Sequence, residues 1–159
     1  SIKCYNANRM AEILKPGIDY IGMTTPFYCN DGKGNFLIHK RGKNARDEQG
    51  VWDFGGGQID FGEKIEDAVL REVLEEWGVK GIIQEQLPAH SMLRTLGNVK
   101  THWIAIPFFV KVDVRNAKIM EPNKFGEMKI VRLNLLPTPS HSGVQQTMAI
   151  FPEYFAKYR

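Results

Sequence analysis

The stretch GQIDFGEKIEDAVLREVLEEWGV, residues 57–79, decides the fold of this chain. On a helix of 3.6 residues per turn, four apolar side chains of this stretch share one side, namely Ile65, Ala68, Val69 and Val73. Glu72 and Glu76 fall within that same arc, and Glu75 lies at its border. The pattern predicts an amphipathic helix over residues 64–77 whose buried side carries carboxylates.

The glutamates of this helix need a positive partner. Arg71 lies four residues before Glu75, so these two side chains can pair along the helix. Carboxylates near a core are costly unless a positive charge neutralises them, and a divalent metal bound by oxygen ligands is the simplest candidate. A solvated glutamate-rich face fits poorly, because the glutamates interrupt the apolar arc instead of opposing it. Gly78 is well placed to end the helix.

The composition indicates one ordinary globular domain over residues 1–159. With 43% hydrophobic and 25% charged residues, the chain can bury one full core. No run approaches the ~20 apolar residues of a membrane-spanning helix, and no secretory signal opens the sequence, so we expect a cytoplasmic protein without a membrane partner. Cys4 and Cys29 are then expected to be free thiols. A net charge of +3 is too mild to argue for nucleic acid. A local basic cluster fits an anionic ligand instead, and it consists of Lys40, Arg41, Lys43 and Arg46.

Turn signals and periodicity place strands on both sides of the helix. We predict strands over residues 18–29, 36–41, 51–54, 79–87, 89–96, 101–113 and 129–133, with a hairpin turn at 30–35 and a polar loop at 42–50. Pro26 marks the first strand as an edge or bulged strand. Further helices are expected over residues 5–14 and within residues 142–158, the latter split near Pro152. This order predicts an α/β sandwich built on a mixed β-sheet.

The stretch quoted above resembles the signature of the Nudix (MutT-like) hydrolase family. That signature is Gly, five residues, Glu, seven residues, Arg-Glu, a bulky apolar residue, any residue, Glu-Glu, any residue, Gly and a bulky apolar residue. Its fixed positions are all matched here, by Gly57, Glu63, Arg71, Glu72, Val73, Glu75, Glu76, Gly78 and Val79. The resemblance covers 23 of the 159 residues and implies the family's α/β/α sandwich. One departure precedes it, because many members carry proline where this chain has Gly55.

The resemblance implies a role for each residue of the signature. The expected ligands of Mg²⁺, with Mn²⁺ as an alternative, are the catalytic glutamates Glu72, Glu75 and Glu76. The backbone carbonyl of Gly57 is a further expected ligand. Arg71 is expected to orient the glutamates and to pair with Glu63. Glu63 and Gly78 are then structural members of the signature.

The reaction implied is hydrolysis of a phosphoanhydride in a nucleoside diphosphate linked to another group. The partner is therefore expected to be a small-molecule nucleotide. Such a reaction needs the phosphate charge neutralised, and a cluster of carboxylates collects the metals that do so. The signature does not fix which residue removes the proton from water, and we consider Glu72, Glu121 and Glu127. Whether the chain works as a monomer or as a homodimer also stays open.

Segments outside the signature give conflicting indications of the substrate. EPNKFGEMKIVRLNLLP, residues 121–137, resembles the Glu-Pro-x-Lys…Leu-Pro segment of members that cleave nucleoside triphosphates, although the tryptophans usual there are absent. LIHKRGKNARDEQGVWDFGGG, residues 37–57, partly resembles the signature of coenzyme A pyrophosphatases. The proline that ADP-ribose pyrophosphatases carry past the signature is missing. We favour a nucleoside triphosphate, with coenzyme A or a nucleotide sugar as the alternative substrate.

Several other side chains have both a functional and a structural interpretation. Arg41 and Arg46 are candidate phosphate contacts, because arginine pairs bidentately with phosphate oxygens, and solvated loop charges are the equal alternative. Phe54 is expected either in the core or against a nucleobase. The four histidines share no ligand spacing and are interpreted as ordinary surface or strand residues, and they are His39, His90, His102 and His141.

Two further function classes stay open. Some proteins with this fold bind a nucleotide or a regulatory ligand without turning it over, and others isomerise an isoprenoid diphosphate. Non-catalytic members typically lose signature glutamates, whereas this chain keeps them all. We therefore favour a hydrolytic enzyme over these two alternatives.

Overall fold

The computed structural model describes residues 13–159. Within that range the chain forms nine strands and three α-helices. The strands are β1 (Gly22–Asn30), β2 (Phe36–Arg41), β3 (Trp52–Asp53), β4 (Gly56–Gln58), β5 (Ile82–Gln86), β6 (His90–Leu96), β7 (Val99–Ala105), β8 (Phe108–Lys111) and β9 (Phe125–Val131). The helices are α1 (Ile65–Trp77), α2 (Ser142–Ile150) and α3 (Pro152–Ala156). The predicted helix over residues 5–14 falls almost entirely outside the described residues.

Strand β1 lies in the middle of a mixed sheet. It runs parallel to β7 up to the pair Thr24–Ala105 and parallel to β8 from the pair Phe27–Phe108 onward. It is antiparallel to β4 and to β2. Pro26, which has no N–H to donate, therefore sits where β1 changes from one parallel neighbour to the next. The predicted mixed sheet is confirmed. The prediction that Pro26 marks an edge or bulged strand is wrong, because β1 has neighbours on both sides and pairs there without a register shift.

The strand predicted over residues 101–113 is in fact two strands. β7 ends at Ala105 and β8 begins at Phe108. Between them Pro107 cannot donate a ladder hydrogen bond, so the pairing is interrupted there. The two pieces have different antiparallel neighbours, since β7 pairs with β6 and β8 pairs with β5.

Alternating side chains of the central strands form two cores, one on each face of the sheet. Phe27 and Cys29 of β1 pack with α1 residues such as Val73. Tyr28, between them in sequence, packs on the opposite face with Phe155 of α3. The same alternation holds in β2 and β8, because successive side chains of a strand point to opposite faces. The sheet is therefore covered on both faces, and the predicted α/β/α sandwich is confirmed.

The helix boundaries agree closely with the sequence. α1 ends at Gly78, which has a φ of +67° and donates its N–H to the carbonyl of Leu74. The C-terminal helix is split before Pro152, as predicted. No helix in the part of the chain that the structure describes is long and apolar enough to cross a membrane.

Several strand boundaries differ from the predictions, since β1 begins at Gly22 instead of residue 18, β5 at Ile82 instead of 79 and β7 at Val99 instead of 101. Two further differences concern β4 and β9. β4 forms over Gly56–Gln58, where no strand was predicted, because pairing with β1 overrides the low strand propensity of glycine. β9 begins at Phe125 instead of residue 129, because it pairs with β2 along its length. Both differences affect the cleft, since β4 and the start of β9 contribute residues to its walls.

Candidate active site

The carboxylate of Glu72 packs directly on the main chain of Gly57. Helix α1 contacts β4, and a Cβ atom built on Gly57 would lie only 1.9 Å from the carboxyl carbon of Glu72. Only glycine leaves room for this approach. The carbonyl of Gly57, expected to be a metal ligand, accepts a hydrogen bond from the Thr24 hydroxyl at 2.9 Å. Two residues far apart in the signature thus meet at one point of the cleft.

Gly55, the position of the departure from the signature, lets Glu76 approach the main chain in a similar way. Its φ of +116° is a conformation nearly restricted to glycine. A Cβ atom there would lie 2.4 Å from Oε2 of Glu76 and 2.4 Å from the Phe27 ring. Proline, with φ fixed at about −65°, cannot adopt this backbone. The turn before the signature therefore differs in this chain from a proline-containing one.

Arg71 connects the loop before α1 to the glutamates of the helix. Its Nε lies 2.7 Å from Oε1 of Glu63, and its Nη2 donates to Oε2 of the same carboxylate at 2.8 Å. Its Nη1 donates to Oε1 of Glu72 at 2.8 Å. Hydrogen bonds from Arg71 and from the backbone N–H of Asp60 lower the pKa of Glu63 to about 2. Arg71 is thus held by Glu63 and in turn orients Glu72.

Glu76 is the most deeply buried acidic side chain of α1, with 4% of its surface exposed. Its Oε2 has no hydrogen-bond partner among residues 13–159. Burial, reinforced by the negative charges of Asp53, Glu72 and Glu121, raises the pKa of Glu76 well above its ordinary value. Glu76 also pairs with no arginine or lysine among residues 13–159. A buried carboxylate without a positive partner is unfavourable for stability, and a bound cation would supply one. The oxygen donors of Glu72 and Glu76 fit Mg²⁺ or Mn²⁺.

Glu75 has a different environment from the other two glutamates. Its side chain is 51% exposed, and both its oxygens lie 3.4 Å from Nη1 of Arg71. Glu72 and Glu76, in contrast, line the cleft. The helical projection had placed Glu75 at the border of the buried arc, and the structure places it there. The two glutamates inside the arc are therefore the centre of the candidate metal site.

The cleft combines an acidic end with an aromatic end. Glu72 and Glu76 lie at the first end, together with the cationic side chains of Arg46 and Lys124. The second end is lined by aromatic residues that are almost fully buried, namely Tyr28, Phe54 and Trp103. Thr24, Arg41, Arg46 and Gly56 line both ends, so the two ends are adjacent. Acidic and cationic side chains thus lie next to an aromatic pocket.

The two arginines predicted to contact phosphate have different environments. Arg41 donates to Asp53 at 2.9 Å and to Asp47 at 2.8 Å, and its Nε donates to the Asp47 carbonyl, so each of its three nitrogens has a partner within the protein. Arg46 keeps 59% of its side chain exposed. The guanidinium of Arg46 stacks on the Trp103 ring, 4.5 Å from the ring centroid. Of the two, Arg46 is the one available to an anionic ligand.

Arg46→Ala is therefore expected to raise KM for the nucleotide by about tenfold with little change in the melting temperature, since Arg46 is largely exposed. Arg41→Ala is expected to lower the melting temperature by several degrees, because it takes the arginine away from the nearly buried carboxylate of Asp53 and removes one of the partners of Asp47. Steady-state kinetics and thermal denaturation of both variants measure the two effects. An unchanged KM in Arg46→Ala would support the alternative interpretation, in which Arg46 is a solvated loop charge that does not contact phosphate.

The two later glutamates considered as general bases lie in different places. Glu121 pairs with Lys124, a cleft residue, and its charge contributes to the raised pKa of both Glu72 and Glu76. Glu127 is 54% exposed and pairs instead with Lys129, whose ammonium lies over the Trp52 ring. Of these two, Glu121 is the glutamate beside the acidic cluster.

A second acidic cluster was not predicted from the sequence. Asp47, Glu48 and His141 bring their ligand atoms within 4.8 Å of one another. Arg94 donates to Glu48 at 2.8 Å and to Asp47 at 3.2 Å, and Arg41 also donates to Asp47. Because arginines already neutralise these carboxylates, the cluster is an ion-pair network and not the metal site. Asp47 and His141 lie 94 positions apart in the sequence, so no local pattern of residues could have predicted the cluster.

These observations define the class of the protein. The family model of the NUDIX domain matches residues 24–151. The chain therefore belongs to the Nudix family, and the resemblance drawn from residues 57–79 is confirmed.

Comparisons with individual proteins agree with this assignment. The nucleoside triphosphatase NudI of Escherichia fergusonii is 40% identical over 63 residues, which are 40% of this chain and 43% of the relative. The CTP pyrophosphohydrolase of Escherichia coli is 32% identical over 57 residues, which are 36% of this chain and 42% of the relative. The matched stretch thus spans less than half the length of these curated relatives. The crystal structure of a MutT NUDIX hydrolase from Burkholderia pseudomallei has a TM-score of 0.70 at 22% identity and covers 80% of this chain and 95% of that chain.

Proposed function

We propose that the protein hydrolyses a phosphoanhydride bond of a nucleoside triphosphate in the presence of Mg²⁺, giving the monophosphate and pyrophosphate. The observation that carries this proposal is the pair Glu72 and Glu76 in one pocket with the cationic side chains of Arg46 and Lys124. An aromatic pocket lies beside it, so the two chemically different parts of a nucleotide each have a suitable environment.

The proposed metal ligands are the two glutamates of the cleft, with Glu75 and the carbonyl of Gly57 completing the set. Oxygen donors of this kind suit Mg²⁺ or Mn²⁺. The burial of Glu76, which pairs with no arginine or lysine among residues 13–159, supports a cation at this point. When bound, the cation supplies positive charge for the phosphates and lowers the pKa of the attacking water. Arg71 holds Glu72 in place through the hydrogen bond at 2.8 Å.

The remaining side chains of the cleft position the substrate. Arg46 and Lys124 are proposed to bind phosphate oxygens, since both are cationic and both line the acidic end. The aromatic pocket is proposed to hold the base, and Phe54 lies in the core beside it. We assign removal of the proton from water to Glu121, whose partner Lys124 is proposed to bind the phosphates, whereas Arg71 and the proposed metal engage Glu72. The negative charge of Glu121 beside the cluster supports this role.

The choice of a triphosphate rests on two observations outside the signature. The segment Glu121-Pro122-x-Lys124 resembles members that cleave triphosphates. The similar curated proteins are a nucleoside triphosphatase and a CTP pyrophosphohydrolase. Coenzyme A and nucleotide sugars are the alternative substrates.

Initial rates on a panel of nucleoside triphosphates, coenzyme A and ADP-ribose with Mg²⁺ test the proposal. We expect a triphosphate to be cleaved fastest, with the monophosphate and pyrophosphate identified as products by chromatography. A tenfold preference for coenzyme A or ADP-ribose, about 1.4 kcal/mol in the barrier, would overturn the substrate assignment. Tight nucleotide binding without hydrolysis of any compound in the panel would favour the alternative that the protein binds a nucleotide without turning it over.

A further inference from the structure

His39 is a fully buried residue beside the candidate metal site. It lies on β2 and has no exposed surface. Its imidazole is held between two aromatic rings, with centroids 3.7 Å from the Phe125 ring and 4.9 Å from the Trp77 ring. The three rings are nearly parallel, at 15° and 22°. This packing fixes the plane of the imidazole and the direction of its nitrogens.

Neither nitrogen of His39 has a hydrogen-bond partner among residues 13–159, and the same is true of Oε2 of Glu76. These unpartnered groups face each other, since Nε2 of His39 lies 3.9 Å from Oε2 of Glu76. A hydrogen bond needs an approach of about 1 Å more. Buried polar groups are nearly always paired, so two such groups in one place call for a joint explanation.

We propose that His39 is a positioning residue for Glu76, whose Oε2 accepts a hydrogen bond from Nε2–H of the imidazole. This inference rests on the proposed function, because it concerns how Glu76 presents itself to a divalent cation. With Oε2 held by His39, the other oxygen of Glu76 is left for the cation on the cleft side. In this arrangement Trp77 and Phe125 fix the imidazole of His39 by stacking. The imidazole in turn orients the Glu76 carboxylate toward the cleft through the hydrogen bond.

The position of the imidazole proton decides whether this hydrogen bond can form. A neutral imidazole carries one N–H and one acceptor nitrogen. The proposal therefore requires the proton to be on Nε2, which can be observed directly. Residues that orient metal ligands in this way typically change metal affinity by about 10–100-fold when they are replaced.

Two substitutions of His39 separate its hydrogen bond from its packing. His39→Phe keeps a flat ring between Trp77 and Phe125 but removes the N–H. His39→Gln loses the ring but places an amide N–H near the position of Nε2. Binding of Mn²⁺ alone, measured from the electron paramagnetic resonance signal of the free ion, is expected to weaken about 10–100-fold in His39→Phe and to stay within a few-fold of wild type in His39→Gln. Glu76→Gln, titrated in parallel, identifies the binding event that depends on Glu76.

A purely structural role for His39 predicts the opposite order, since His39→Phe would then bind Mn²⁺ as tightly as wild type, and this result would overturn the proposal. The ¹⁵N chemical shifts of the His39 ring in the metal-free wild type give a second, independent measurement. We expect the Nε2–H form, and a ring protonated on Nδ1 would overturn the proposal even if a variant failed to fold. If the wild type itself binds no Mn²⁺ through Glu76, the proposed metal site is wrong. If the wild type binds Mn²⁺ through Glu76 but His39→Phe binds it equally well, only the proposed role of His39 is wrong.

Discussion

Replacing Glu76 by glutamine is expected to lower turnover of the preferred nucleotide by about 10²-fold or more, equivalent to about 2.7 kcal/mol of barrier. Glutamine keeps the shape and hydrogen-bonding capacity of the side chain but removes the negative charge that a metal ligand supplies. Initial rates with saturating Mg²⁺ measure the effect. Glu66→Gln, an exposed glutamate in the first turn of the same helix, is the matched control and is expected to keep the wild-type rate.

The same variant has a distinctive effect on stability. Without metal, Glu76→Gln is expected to be no less stable than wild type, because Asp53 and Glu72 repel the buried charge of Glu76. Mg²⁺ is expected to raise the melting temperature of wild type and to raise it less in the variant, since a ligand of the folded state stabilises that state. Thermal denaturation with EDTA and with Mg²⁺ tests both statements. Near-normal turnover together with melting that ignores Mg²⁺ would contradict the metal-site assignment of Glu76.

Gly57→Ala is expected to have an effect of similar size, for a steric reason. The added methyl group would lie 1.9 Å from the carboxyl carbon of Glu72, so the glutamate must move away from β4. Displacement of a catalytic group by about 1 Å can cost 10²-fold in rate, and we expect a loss of about that size. The φ of Gly57 is not positive, so backbone strain does not contribute. Rates and the Mg²⁺ concentration needed for half-maximal activity are the measurements.

Gly126→Ala is the control for this substitution. Gly126 lies at the start of β9, its φ is also not positive, and a Cβ atom built there meets nothing within 4 Å. We expect wild-type kinetics and a nearly unchanged melting temperature. Equal rates in Gly57→Ala and Gly126→Ala would show that the position of Glu72 does not matter for turnover.

The helix of the signature was predictable because its pattern is local. The apolar arc, the arginine and the terminal glycine of α1 all lie within residues 57–79, and the projection placed Glu72 and Glu76 correctly on the buried side. The central strands were also largely predictable from their apolar runs. Their partners were not, because pairing depends on residues distant in sequence. Pro26 and Pro107 show this, since only the three-dimensional sheet reveals that both lie where strands exchange partners.

The environment of the site was less predictable than its central residues. The sequence does not distinguish Arg41 from Arg46 as phosphate contacts. In the structure Arg41 forms an ion pair with Asp53 of β3, whereas Arg46 stays exposed on Trp103 of β7. His39 looked like an ordinary strand residue. Its importance depends on Trp77 and Phe125, which lie 38 and 86 positions away and give no local signal.

The ion-pair network around Asp47 and Glu48 has a consequence for how ligands bind. It fastens the loop between β2 and β3 to Arg94 of β6, and the backbone N–H of Ser142, at the start of α2, donates to Glu48 at 2.9 Å. The loop that carries Arg46 is therefore ordered before any nucleotide arrives. Ordering a loop on binding opposes affinity through lost conformational entropy, and here that loss is already incurred in folding. Discrimination among nucleotides then depends on the fit of each to a wall of fixed shape.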